Sequence, residues 1–74
     1  MMMMCADTVG ASILLGVSRV TIWKWRQDNR LSEVRKGWKT FIPLRDIAKE
    51  MHITQKKLLN IAYDMGVVIW QVKK

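Results

Sequence analysis

The chain has 74 residues, half of them hydrophobic, and its thirteen Lys and Arg outnumber six Asp and Glu to give a net charge of +7. This length excludes more than one ordinary domain, and the composition excludes a wholly disordered chain. One cysteine, Cys5, and one histidine, His52, exclude an internal disulfide and a four-ligand zinc site, so no metal or cofactor is expected. Residues 1–6 read as a loose start, with Met1–Met4 outside the fold and Cys5 an idle thiol on a flexible end. A first helix is predicted from Asp7 to Leu15, with Asp7 or Thr8 as N-cap, Gly16 as its stop and Val9, Ile13 and Leu14 sharing one face. Its neighbourhood VGASILLGV is far shorter than the ~20 residues that cross a bilayer, and no basic residue precedes it. No membrane partner is expected, and a reducing cytoplasm is the natural compartment.

Ser18 caps a second helix to Asp28 only two residues after Gly16, which leaves a tight turn between the two. Ile22 and Trp25 form its inward stripe, with Val17 as a staple outside the cap. The segment Leu31–Pro43 then reads as a small hairpin, Glu33–Lys36 and Lys39–Ile42, with Gly37 in the turn and Val34 and Trp38 flanking it. Arg45–Met51 is a short helix. Thr54 caps a longer one to Met65, with Leu58, Ile61, Ala62 and Met65 as its stripe and Gly66 as its stop. The tail VVIWQV is β-prone and can add a terminal strand or a partner contact.

An internal repeat appears at an offset of 36. Gly16-Val17-Ser18 aligns with His52-Ile53-Thr54, Ile22 with Leu58, Trp25 with Ile61 and Ser12 with Ala48. Residues 45–74 read as a C-terminal helical extension that either forms a second helix-turn-helix-like unit or merely shares the common pattern of two short capped helices, inside one domain that covers residues 1–74. His52, in the glycine position of the repeat, is expected to adopt a positive φ.

The basic character is concentrated. Between Arg19 and Arg45 lie eight basic residues and two acidic ones, which points to a polyanionic partner. On the second helix Val20, Lys24 and Gln27 follow i, i+4, i+7 spacing on a stripe away from Ile22 and Trp25. These side-chain types suit a thymine methyl, a guanine edge or phosphate, and an adenine. Ser18, Arg19 and Trp23 complete the candidate recognition helix, and Arg35, Lys36 and Lys39 form a basic hairpin tip suited to phosphate. The partner expected is double-stranded DNA, with self-association or cooperative binding along it.

The order VGASILLGVSRVTIWKWRQDNRL, a basic hairpin and then IPLRDI, from Thr8 to Ile47, resembles the excisionase-like small DNA-binding proteins of the wider MerR-type winged-helix group. The resemblance implies a winged helix-turn-helix, so the whole chain is expected to be mainly α with a small β-hairpin, the two further C-terminal helices and a possible terminal strand following the winged unit. It implies recognition contacts at Val20, Lys24 and Gln27 and a wing contact within Arg35–Lys39. Trp23 stands where the family more often has a basic or tyrosyl residue. The function implied is that of a phage or mobile-element recombination directionality factor. A transcriptional repressor or activator of the same fold, and a packaging or replication adaptor working through protein contacts, are the alternatives. No paired acids, nucleophile–base set or phosphate-cradling glycine loop appears in the sequence, so no enzyme is expected.

Overall fold

A computed structural model describes residues 2–73. In chain order it contains β1 (Met2–Asp7), α1 (Thr8–Leu15), α2 (Arg19–Gln27), β2 (Val34–Lys36), β3 (Lys39–Pro43), α3 (Leu44–Met51), α4 (Gln55–Met65) and β4 (Trp70–Lys73). All strand pairs are antiparallel, and they form one four-stranded sheet in the order β2-β3-β1-β4.

This sheet overturns the mainly α winged-helix expectation. The β2–β3 hairpin is present, but β3 is an inner strand paired on its other edge to β1, so the hairpin is part of a sheet and not a projecting wing. The supposedly loose residues 1–6 supply the other central strand; Met1 lies outside the described residues. A methionine run looks featureless in sequence, yet it alternates here in strand fashion. Met4 and Ala6 pack into the main core, while Met3 and Cys5 face a second cluster with Phe41 and Val72 on the opposite side. Cys5 is accordingly not an idle terminal thiol but fully buried. Burial pushes its pKa upward, and the Asp46 carboxylate adds to the rise.

The local punctuation follows the predicted pattern. The Asp7 carboxylate accepts from the Gly10 backbone N–H at 2.7 Å, the Ser18 hydroxyl from Thr21 at 3.2 Å and the Thr54 hydroxyl from Lys57 at 3.1 Å. Gly16 and His52 end α1 and α3 in the left-handed region, at φ 68° and 58°, and the next N–H of each turn returns to the helix (Val17 to the Ser12 carbonyl, Ile53 to that of Ala48). Gly37, at φ 61° in the first position of a two-residue hairpin turn, matches the type II′ geometry that glycine allows.

The face of α1 is rotated from its predicted setting. Val9 and Ile13 are half exposed, whereas Gly10, Ala11 and Leu14 point inward. The reason is closeness: a Cβ on Gly10 would lie 3.1 Å from Val67 Cγ1 and 3.4 Å from Ala6 Cβ. The small residues Gly10 and Ala11 let the helix settle on the sheet, and Val9 and Ile13 are left outside. On α4 the inward residues are Leu58 and Ala62, with Ile61 half buried, while Met65 at the end of the expected stripe is 50% exposed.

The 36-residue repeat extends through the whole fold. Each half is strand, helix, turn, helix, strand. In the centre of the sheet Cys5 faces Pro43, Ala6 faces Ile42 and Asp7 faces Phe41, a register that maps onto itself when the halves are exchanged. The outer pairs obey the same rule. Val34, Arg35 and Lys36 face Phe41, Thr40 and Lys39, just as Trp70, Gln71 and Val72 face Cys5, Met4 and Met3. A pseudo-two-fold axis therefore passes between Ala6 and Ile42. Opposed residues of an antiparallel pair project to the same side, so this axis stands perpendicular to the sheet and both helix pairs lie on one face. There α1 packs on α3, with α2 against α1 and α4 against α3. Each half's strands pair only with the other half, so neither half completes a sheet by itself.

One asymmetry gives a stability prediction. Asp7 caps α1, but its counterpart Pro43 makes no side-chain cap for α3. Asp7→Ala is expected to cost about 1 kcal/mol, lowering the melting temperature by roughly 4–8 °C for a domain of this size. Asp7→Asn retains a capping oxygen and should melt closer to the parent in thermal denaturation. Equal melting of Asp7→Ala and parent would remove the cap from the account.

Candidate nucleic-acid interface

The exposed face of α2 is built by its burial pattern. Ile22 is fully buried, and Trp25 packs half buried beneath the Arg30 guanidinium, which lies 4.2 Å from the ring centroid. With those two turned inward, Arg19, Val20, Trp23, Lys24 and Gln27 are all exposed. Val20, Trp23, Lys24 and Gln27 fall at i, i+3, i+4, i+7, one continuous stripe. Val20 is 62% and Trp23 55% exposed, so the stripe joins apolar surface at its start to Lys24 and Gln27 further along. Ser18 also lies at the surface, but its hydroxyl is engaged by Thr21 as the helix cap.

The basic stretch divides cleanly. Among the described residues Arg26 pairs with Glu33 and Arg30 with Glu50, Lys39 Nζ lies 3.7 Å from Asp7 Oδ2, and Arg45 Nε lies 3.9 Å from Asp46 Oδ1. These four cations each have an acidic partner within the fold. The other four, Arg19 and Lys24 on α2 and Arg35 and Lys36 on β2, have no ion-pair partner among the described residues. The surplus charge of the stretch is thus carried by the two elements expected to meet a polyanion.

The hairpin residues are less united than their sequence proximity implies. Ile42 belongs to the helix-side core and Phe41 to the opposite cluster. By strand alternation Arg35, opposite Thr40, projects on the helix side, whereas Lys36 and Lys39, opposite each other, project on the far side. Lys39 is further drawn away: its ammonium lies 4.7 Å from the Trp70 ring centroid and 5.8 Å from that of Phe41. Arg35 therefore shares a side of the sheet with α2, Lys36 stands at the hairpin end, and Lys39 serves the fold.

Trp38 lies within the hairpin turn itself. It occupies the second turn position and is 92% exposed, next to Lys36 and Lys39. An exposed indole at the turn of a basic hairpin can stack on a base or sugar. The signal available in the sequence was Gly37, which at the first position of a two-residue turn places its successor at the tip.

Compared with known proteins, the chain matches no family model, no curated protein and no solved structure. Among the described residues no helix is long and apolar enough to cross a membrane.

Proposed function

We propose that this protein binds double-stranded DNA through the exposed face of α2, with β2 and the hairpin tip holding the phosphate backbone. The observation that carries the proposal is the division of charge. Half of the basic stretch has an acidic partner within the fold, and among the described residues the cations without one sit on α2, which also carries the uncovered stripe Val20, Trp23, Lys24 and Gln27, and on β2. Gln27 is assigned to a base edge, Lys24 to a guanine edge and the adjoining phosphate, Val20 to a thymine methyl, and Arg19, Arg35 and Lys36 to phosphates.

The likeness of Thr8–Ile47 to excisionase-type proteins adds a role in directing recombination in a phage or mobile element. That role rests on the motif and not on the winged-helix fold, which this chain does not have. A transcriptional regulator is the second reading, favoured by the internal two-fold axis, because helices related by a two-fold approach DNA in opposite directions. Footprinting separates them. Adjacent direct repeats with bending support the first, and a single inverted site supports the second.

The test of DNA reading compares a cognate duplex with random DNA. Lys24→Ala and Gln27→Ala are expected to weaken the cognate complex by about 1–3 kcal/mol more than the random one. Lys36→Ala should weaken both by similar amounts. If all three variants lose equally on both duplexes, α2 does not read bases.

A further inference from the structure

The two-fold relation between the halves gives α2 a counterpart in α4. Exchange of the halves carries Val20 to Lys56, Lys24 to Asn60 and Gln27 to Tyr63. All three counterparts are exposed, Tyr63 at 86%. The inward residues correspond as well, since Ile22 and Leu58 are both fully buried and Trp25 and Ile61 both half buried. The helices begin alike, each on a hydroxyl cap that accepts from the third residue on. Lys56 and Lys57 in the first turn of α4 have no ion-pair partner among the described residues. The helix's one acid, Asp64, lies at its far end.

We infer that α4 carries a second duplex-DNA face, formed by Lys56, Asn60 and Tyr63 and related to the α2 face by the internal two-fold axis. This rests on the reading of α2 as a DNA-binding helix. The chemistry of the second face differs from that of the first. Asn60 can bracket an adenine, Lys56 can donate to guanine or phosphate, and Tyr63 can donate to phosphate or lie against a sugar. The two helices therefore present unlike side chains in equivalent places. Their targets are inverted in direction and different in sequence. A symmetric homodimer cannot make that distinction, because its two reading heads are identical.

The size of the molecule restricts how both faces are used. The Cα atoms span 27 × 26 × 19 Å, less than the ~34 Å between successive turns of the major groove. A single straight duplex therefore cannot present consecutive grooves to α2 and α4. Either one duplex bends toward the chain, or α4 takes a second duplex. The ligand is the same in both cases.

The experiment uses the full chain and duplexes selected from a randomised pool, with Lys24→Ala, Gln27→Ala, Lys56→Ala, Asn60→Ala and Tyr63→Ala compared to the parent. Asn60→Ala is expected to lose about 10-fold in affinity and to relax base preference at positions other than those relaxed by Gln27→Ala. Lys56→Ala should reduce the salt slope by about one. Thermal melts at the parent's temperature establish that these surface variants are folded. Labels on the two ends of one duplex report bending, and capture of a second labelled duplex reports bridging; either result accompanies a working α4 face. If the α4 variants keep parental affinity and preferences while the α2 variants do not, the second face does not exist and the reading of α2 stands. The reverse pattern removes α2 and retains α4. Absence of DNA binding by the parent overturns both.

Discussion

Raising monovalent salt from about 50 to about 200 mM will weaken the DNA complex by roughly two orders of magnitude. The figure follows from the unpaired cations of the proposed interface, Arg19, Lys24, Arg35 and Lys36. Each cation that neutralises a phosphate releases condensed counterions, and log K falls with log salt at about −0.9 per contact, so four contacts give a slope near −3.6. Counting every basic residue between Arg19 and Arg45 would predict about twice that slope. Arg26, Arg30, Lys39 and Arg45 are already engaged by Glu33, Glu50, Asp7 and Asp46, and breaking those pairs to reach phosphate returns much of the gain. Engagement of Lys56 and Lys57 as well would move the slope to about −5.4. A fluorescence-anisotropy titration at several salt concentrations measures it directly, and a slope near zero would falsify a phosphate-based interface.

The second large effect is on folding. Ile42→Ala is expected to lower the melting temperature by tens of degrees or to abolish the cooperative transition. Ile42 is fully buried and lies beside the two-fold axis, opposite Ala6. Its partner is as small as a side chain can be while keeping a Cβ, so Ile42 fills the space between the sheet centre and the α1–α3 layer for both halves. Truncating a buried isoleucine costs about 2–5 kcal/mol. A domain of this length has a total stability on the order of 4–11 kcal/mol, at about 0.05–0.15 kcal/mol per residue. The loss is a large fraction of that total. Trp38→Ala is the control: an almost fully exposed residue of larger size should change stability by no more than about 0.5 kcal/mol. Scanning calorimetry of the two variants distinguishes them, and an Ile42→Ala melt at the parent's temperature would mean that the sheet centre is not the core.

The candidate interface was legible because its signals are local. Ser18 fixes where α2 begins, and Ile22 and Trp25 fix which way it turns, so the outward positions Val20, Lys24 and Gln27 follow from helical geometry alone. What the linear pattern did not carry was the state of each cation. Lys39 lies three residues from Lys36, yet it is held by Asp7 of a distant strand and by the Trp70 ring. Arg30 is held by Glu50, twenty residues on. No spacing rule within the basic stretch separates the engaged cations from the unengaged ones.

The sequence by itself determined the elements whose hydrogen bonds close within a few residues. These are the caps at Asp7, Ser18 and Thr54, the left-handed stops at Gly16, His52 and Gly66, and the hairpin turn at Gly37. Only the tertiary structure decided that Met2–Asp7 is a central strand. A strand has no internal hydrogen bonds, and the partners of β1 are β3 and β4, the latter at the opposite end of the chain. Only the tertiary structure turned Gly10 and Ala11 inward in place of Val9 and Ile13, because the close approach of α1 to the sheet favours small side chains over apolar ones. The 36-residue repeat belongs to both levels. Its turns and caps are visible in the residues, but the two-fold axis exists only in the β1–β3 register, since symmetry between two halves is a property of how they pair.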